Sequence, residues 1–147
     1  MNELDALASS YIKVYLRLMR LMDRRMAEQG ASFARTKLLL LLERNGPRRS
    51  SEIAEVFGQS PRTVTEAIDA LEREGLVRRD PDPEDRRAKL VSVTPEGQAA
   101  AAKTEPLRRQ LIEQVFGRLS QDEQRSLNGL LDQLATGLDM QPEPTGL

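Results

Sequence analysis

Apolar residues recur at Leu4, Leu7, Tyr11, Val14, Leu18, Leu21 and Met26, in steps of three to five that line one face of a helix. Asn2 can cap this helix, and Gly30 is expected to stop it near Gln29. The stripe is longer than a small core can cover, so it is expected to pack on a second chain. Ser32 opens a second helix reaching Leu42 and ended by Asn45-Gly46-Pro47; its run Leu38 to Leu42 predicts burial on more than one side. A short third helix is expected from Ser50 or Ser51 to Val56-Phe57, with Glu52 at the positive end of its dipole and Gly58 after it. Ser60-Pro61 gives a cap followed by proline at the first helical position, and Val64, Ala67, Ile68 and Leu71 mark the buried face of a fourth helix that closes at Gly75.

The period then changes. Residues 76 to 79 and 88 to 94 are β-prone, the second alternating as Leu90, Val91, Ser92, Val93, Thr94, and they flank the polar loop DPDPEDRRA: a hairpin with a charged tip. Thr94-Pro95-Glu96 repeats the cap-then-proline signal and opens a long helix with Leu107, Leu111, Val115 and Leu119 on its apolar side, kinked at Pro106. Ser120 and Glu123 have capping-box spacing before a last helix carrying Leu127, Leu130, Leu131, Leu134 and Leu138. The tail QPEPTGL is expected to fray. The fold class is therefore mainly α with a small β-hairpin: six helices, four before the hairpin and two after it.

Composition narrows the chemistry. The 147 residues contain no cysteine and no histidine, which removes disulfides, thiolate nucleophiles, Ser-His-Asp and Cys-His catalysis and most transition-metal sites. No catalytic residue, metal ligand or cofactor is assigned. What remains is carboxylate chemistry, for which Asp82, Glu84 and Asp85 are the nearest approach to a Mg²⁺ site, but a loop with adjacent arginines is a poor setting for one. The run of five leucines is far short of the roughly 20 residues that span a bilayer, so no membrane association is expected. The start MNELDALASS has two acids and no apolar signal core, which points away from export and towards the cytoplasm.

The net charge of −1 gives no global attraction for a polyanion, but the doublets Arg48-Arg49, Arg78-Arg79 and Arg86-Arg87 concentrate positive charge in the middle third. The same stretch has the elements of a helix-turn-helix. Ala54 is the small residue where two helices cross, Gly58 lies in the turn, and Val64 faces inward with Ile53, Phe57 and Ile68. A plain helical hairpin would share this pattern up to Leu71. With Val64 inward at 100° per residue, Arg62, Glu66, Asp69 and Arg73 point outward and Thr63 and Thr65 flank them. Arg62 can donate twice to a guanine edge, and the threonines suit phosphate or a thymine methyl group. Glu66 either accepts from a cytosine amino group or pairs with Arg62, the pair being favoured. Ser50 and Ser60, beside free N–H groups at two helix starts, suit phosphate oxygens as well as capping. Arg78 and Arg86 are counted with this surface.

The stretch LEREGLVRRDPDPEDRRAKLVSVTPEG extends the match beyond a hairpin of helices. With its Leu-Glu-x-x-Gly-Leu-Val-x-Arg run, Asp-x-Arg loop and Thr-x-x-Gly close, the segment from about 32 to 97 resembles the MarR family of bacterial regulators; Val93 stands where leucine usually precedes the threonine. The resemblance implies a winged helix-turn-helix transcription regulator acting on double-stranded DNA as a homodimer, a repressor released by a small-molecule effector. It implies residues 1–30 as a dimerisation helix, 31–94 as the DNA-binding lobe, 95–140 as C-terminal dimerisation helices and 141–147 as a frayed tail. Helix 61–74 would enter the major groove of a palindromic operator and the wing 80–88 the minor groove, with Arg87 as the inserted arginine and Asp85 as its brace. A small aromatic effector would sit between lobe and dimerisation helices, where Tyr11, Tyr15 and Phe33 are the aromatic candidates, each also suited to core or interface packing. Without cysteine, sensing by thiol oxidation is excluded. The rival reading is a winged-helix module that binds protein and makes no direct contact with DNA, for which near-neutral charge is unsurprising.

Overall fold

The structure, a computed structural model, describes residues 2 to 139. The expected fraying of 141–147 lies outside the described residues. The element order is α1 (Glu3–Glu28), α2 (Phe33–Asn45), α3 (Ser50–Phe57), α4 (Pro61–Arg73), β1 (Val77–Pro81), β2 (Lys89–Val93), α5 (Pro95–Lys103), α6 (Glu105–Phe116) and α7 (Gln121–Asp139). The chain divides into two compact units, one ending at Arg108 and one beginning at Arg109.

In the first unit, local chemistry sets the helix boundaries. The Asn2 side chain accepts the Asp5 N–H at 2.8 Å and starts α1, Ser32 accepts from Arg35 at 3.3 Å at the start of α2, and Ser60 accepts from Thr63 at 3.1 Å at the start of α4. Ser50 does not cap α3, against expectation. It is the first residue inside the helix, and the preceding residue, Arg49, has extended backbone whose N–H donates to Glu52 Oε1 at 3.2 Å. The helix starts at Ser50, as expected, and the residues before it are extended because Arg48 is held by two backbone bonds to Val91, of 3.1 and 2.8 Å. This bridge adds a short third strand segment beside the antiparallel β1–β2 hairpin, in which Val77 pairs with Val93 and Pro81 with Lys89.

The core of the lobe gathers Leu38, Leu39 and Leu42 of α2, Ile53 and Ala54 of α3, and Val64, Ile68 and Leu71 of α4. Val77 and Val91 join it from the hairpin, and Ala101 from α5. The hairpin is therefore bonded into the helical core, where it buries one apolar residue from each strand. A second latch closes behind it. Thr94 donates its N–H to Leu76 O at 3.1 Å and its hydroxyl to Gly75 O at 2.6 Å, while its Oγ1 accepts the Gly97 N–H at 3.1 Å. At Gly97 the backbones come so close that a Cβ would lie 2.1 Å from Leu76 O, so any side chain there would force the two segments apart.

The helix expected from Thr94 past Pro106 is two helices, which makes seven among the described residues. Proline at 106 has no N–H to offer Ala102 O, and the last turn of α5 tightens instead, with Thr104 donating its N–H and hydroxyl to Ala101 O at 3.1 and 2.7 Å. In the second unit, Ser120 and Glu123 form the expected reciprocal capping box at 2.9 and 3.2 Å, and the Ser120 N–H first, with the Ser120 hydroxyl, holds the Glu123 carboxyl below its usual range. Among the described residues, no helix is long and apolar enough to cross a membrane.

Candidate nucleic-acid interface

The two helices of the helix-turn-helix are set by buried apolar residues on one side and a left-handed turn on the other. Ile53, Val64, Ile68 and Leu71 have no exposed surface, and Gly58 takes φ 60°, ψ 34°, a conformation that penalises any residue with a Cβ. This leaves the opposite face of α4 in solvent. The Arg62 side chain is 90% exposed and pairs with Glu66 one turn later at 3.2 Å, the arrangement favoured from sequence. Thr63, Thr65 and Arg73 are exposed beside them, and Thr63 Oγ1 lies 2.8 Å from Ser60 Oγ.

Two ion-pair clamps, both missed in the sequence, fix the hairpin against the helices. Arg79 of β1 reaches back to α4, with Nη2 2.6 Å from Asp69 and Nη1 3.0 Å from Glu72. Asp69, on the outward face as expected, is thus occupied. At the far end, Asp82 is 6% exposed; its Oδ2 takes Nε and Nη2 of Arg49 at 2.8 and 2.6 Å, and its Oδ1 takes the Glu84 N–H at 2.9 Å. The Glu84 N–H first, and then the Arg49 guanidinium, hold the Asp82 carboxyl below the ordinary carboxylate range. The partners are 33 positions apart in sequence, so no local pattern signals them.

The wing tip is shaped by Asp85, though not as expected. Its Oδ1 accepts the backbone N–H of Arg87 at 3.0 Å rather than the guanidinium, and its carbonyl accepts from Ala88. Asp85 braces the turn; it does not hold the arginine side chain. With Asp82 and Asp85 engaged in this way, the acidic loop is organised for structure. Among the described residues, no group of three or more metal-ligating side chains is arranged around a common point.

Acidic partners offset much of the arginine charge on this part of the surface. Arg48 pairs with Glu52, Arg49 with Asp82, Arg62 with Glu66, Arg78 with Asp80, and Arg79 with two acids. Among the described residues, Arg73 on the recognition helix and Arg86 and Arg87 on the wing have exposed side chains with no acidic partner.

The aromatic candidates do not form a pocket. Tyr11 and Tyr15 are about half exposed on α1, whereas Phe33 is buried, with Lys37 Nζ 4.8 Å from its ring centre. The α1 stripe is directed outward beyond Met22 and Met26, which separates its tyrosines from the core that takes Phe33. A cleft of about 300 Å³ lies instead among the α1–α2 turn, α2 and α5, lined by Arg35, Leu39, Leu76, Ala100, Lys103 and Leu107 with six neighbours.

Comparison with known proteins places this geometry. The MarR family model matches residues 32–89. An uncharacterised HTH-type transcriptional regulator of Bacillus subtilis, YkoM, is 34% identical over 71% of this chain and 68% of its own length. A second from the same organism, YwhA, is 27% identical over 82% and 87%. The crystal structure of Sco3205, a MarR family transcriptional regulator from Streptomyces coelicolor in complex with DNA, superposes with a TM-score of 0.78. It shares 28% identity and covers 95% of this chain and 88% of that one. The matched segment contains the crossing residue Ala54, the Gly58 turn, the outward face of α4 and the wing through Lys89, and the chain belongs to the MarR family of transcriptional regulators.

Proposed function

We propose that this regulator binds a palindromic double-stranded operator as a homodimer and acts as a repressor released by a small-molecule effector. Residues 61–74 would read the major groove through Arg62, Thr63, Thr65, Glu66 and Arg73, and residues 80–88 the minor groove through Arg86 and Arg87. Ser50, Ser60 and Arg78 would take phosphates. Segments 1–30 and 95–140 would dimerise around the lobe 31–94. The observation that carries this reading is the exposed outward face of α4 and the wing, where Arg73, Arg86 and Arg87 have no acidic partner among the described residues and a phosphate-lined groove would compensate them. Arg62 and Glu66 then act as a unit, the carboxylate holding the guanidinium extended towards a base edge. A small protein whose end helices expose leucine stripes gains most by covering them with a second copy, which pairs the recognition helices at the spacing of one DNA turn.

The test is charge reversal at the wing. Arg87→Glu should weaken duplex binding on the order of 100-fold and flatten its dependence on salt. Unchanged affinity for every duplex would turn the assignment to a protein-binding winged helix.

A further inference from the structure

We infer that the Arg62–Glu66 pair selects two adjacent G·C pairs in each half-site: Arg62 takes the guanine edge of one, and the Glu66 carboxylate accepts from the cytosine amino group of the other. The inference rests on the reading of α4 as a major-groove helix and gives that helix a sequence preference, with Glu66 as the residue that sets its second position.

The first observation is how the pair is joined. Glu66 Oε1 accepts from Arg62 Nε at 3.2 Å, and neither side chain makes another hydrogen bond among the described residues. Nη1 and Nη2 therefore remain as a fork of donors, and Oε2 remains as an acceptor. The second is place. The two side chains are 90% and 68% exposed and stand in the first two turns of α4, the end of a recognition helix that meets base edges. Their heads are as close as stacked base pairs, which are roughly 3.4 Å apart, so they address neighbouring pairs and not separate parts of a site. The third is that the other acids of α4 are engaged, Asp69 and Glu72 both holding Arg79 of the wing. Glu66 is the acid of this helix left to present a carboxylate oxygen to a groove.

A carboxylate between phosphate walls is repelled unless it meets a donor. In the major groove the donors are the amino groups of cytosine and adenine; adenine sets the N7 acceptor beside its amino group, and thymine and guanine offer acceptors alone. Cytosine is the base that suits Glu66. The Nη fork of Arg62 matches guanine O6 and N7, and the bond from Nε to Glu66 keeps that fork end-on. One carboxylate thus orients the arginine with one oxygen and reads a second base pair with the other.

Selection from a random duplex pool at fixed salt, followed by competition between duplexes that differ at one pair, tests this for the full-length wild type, Glu66→Gln and Arg62→Gln, with thermal melting to establish folding. Wild-type half-sites should contain two adjacent G·C pairs, and replacing either by A·T should weaken binding about tenfold. In Glu66→Gln the preference at one of them should pass to A·T, because glutamine forks onto adenine N6 and N7, while the guanine taken by Arg62 stays preferred. Arg62→Gln should change the preference at the other pair. Glu66→Gln also removes a negative charge and strengthens binding to every duplex, so the quantity compared is the ratio between duplexes. If Glu66 only orients Arg62, Glu66→Gln will relax the guanine preference and alter no second pair. That result would overturn the inference, as would wild-type half-sites without adjacent G·C pairs, and either would leave the DNA reading standing. Enrichment of no duplex by the wild type would overturn the DNA reading and this inference with it.

Discussion

Between Phe33 and Val93 every helix buries part of its apolar face within the chain, and both strands of the hairpin contribute to the same core. Over α7, by contrast, no residue is buried, and Leu134 and Leu138 are 60% and 72% exposed. Helix α1 is intermediate, burying Met22 and Met26 at its C-terminal end and leaving Leu4 and Leu7 in solvent at the other. The two regions use similar amounts of leucine for different ends. The lobe spends it on a core that fixes the angle between α4 and the wing. The end helices present it outward, where it is stable only against another surface.

The largest expected effect follows from covering those stripes with a second copy. Burying one leucine contributes about 1.5–3 kcal/mol, and twofold symmetry counts it twice. Leu134→Asp should therefore raise the dimer dissociation constant by more than about 100-fold in sedimentation, while the lobe keeps its cooperative melting. A variant that remained dimeric would show that α7 is not the contact. A smaller effect, confined to the lobe, is expected at Gly97, where a Cβ would collide with Leu76 O. Gly97→Ala should cost about 2–3 kcal/mol of stability in denaturant titration without changing the oligomeric state. A neutral result would mean that the β2–α5 latch yields easily.

The smallest effect concerns the wing clamp. Asp82 has its folded-state titration pushed below the ordinary carboxylate value, so the stability it contributes is complete above that value and is lost as pH falls through the lowered one. Wild-type stability should therefore fall on acidification below about pH 4, and Asp82→Asn should be less stable at neutral pH with a flatter acid limb. Parallel acid limbs would show that the Arg49 contact contributes nothing.

The legible parts of this molecule were those written in short sequence spans. Asn2, Ser32, Ser60, Thr94 and Ser120 were all readable as caps because each acts on an N–H three positions away. The same holds for the Arg62–Glu66 pair, one helical turn apart. What escaped depends on contacts between distant segments. The Arg48–Val91 bridge holds the residues before α3 extended and leaves Ser50 inside the helix without its expected capping role, and Arg79 pairs with the outward-facing Asp69. Asp85 was read as the partner of the Arg87 side chain, but a carboxylate two residues earlier reaches the backbone N–H more readily. Tyr11, Tyr15 and Phe33 share aromatic character but not an environment, because periodicity alone does not say which chain a stripe will meet.

The central claim is that two copies of α4 and the wing engage one duplex together. Selection of binding sequences from a random duplex pool at fixed salt tests it most directly. The account predicts an inverted repeat with half-site centres one helical turn apart, roughly 34–36 Å. Enrichment of a single half-site, or of no sequence at all, would contradict it.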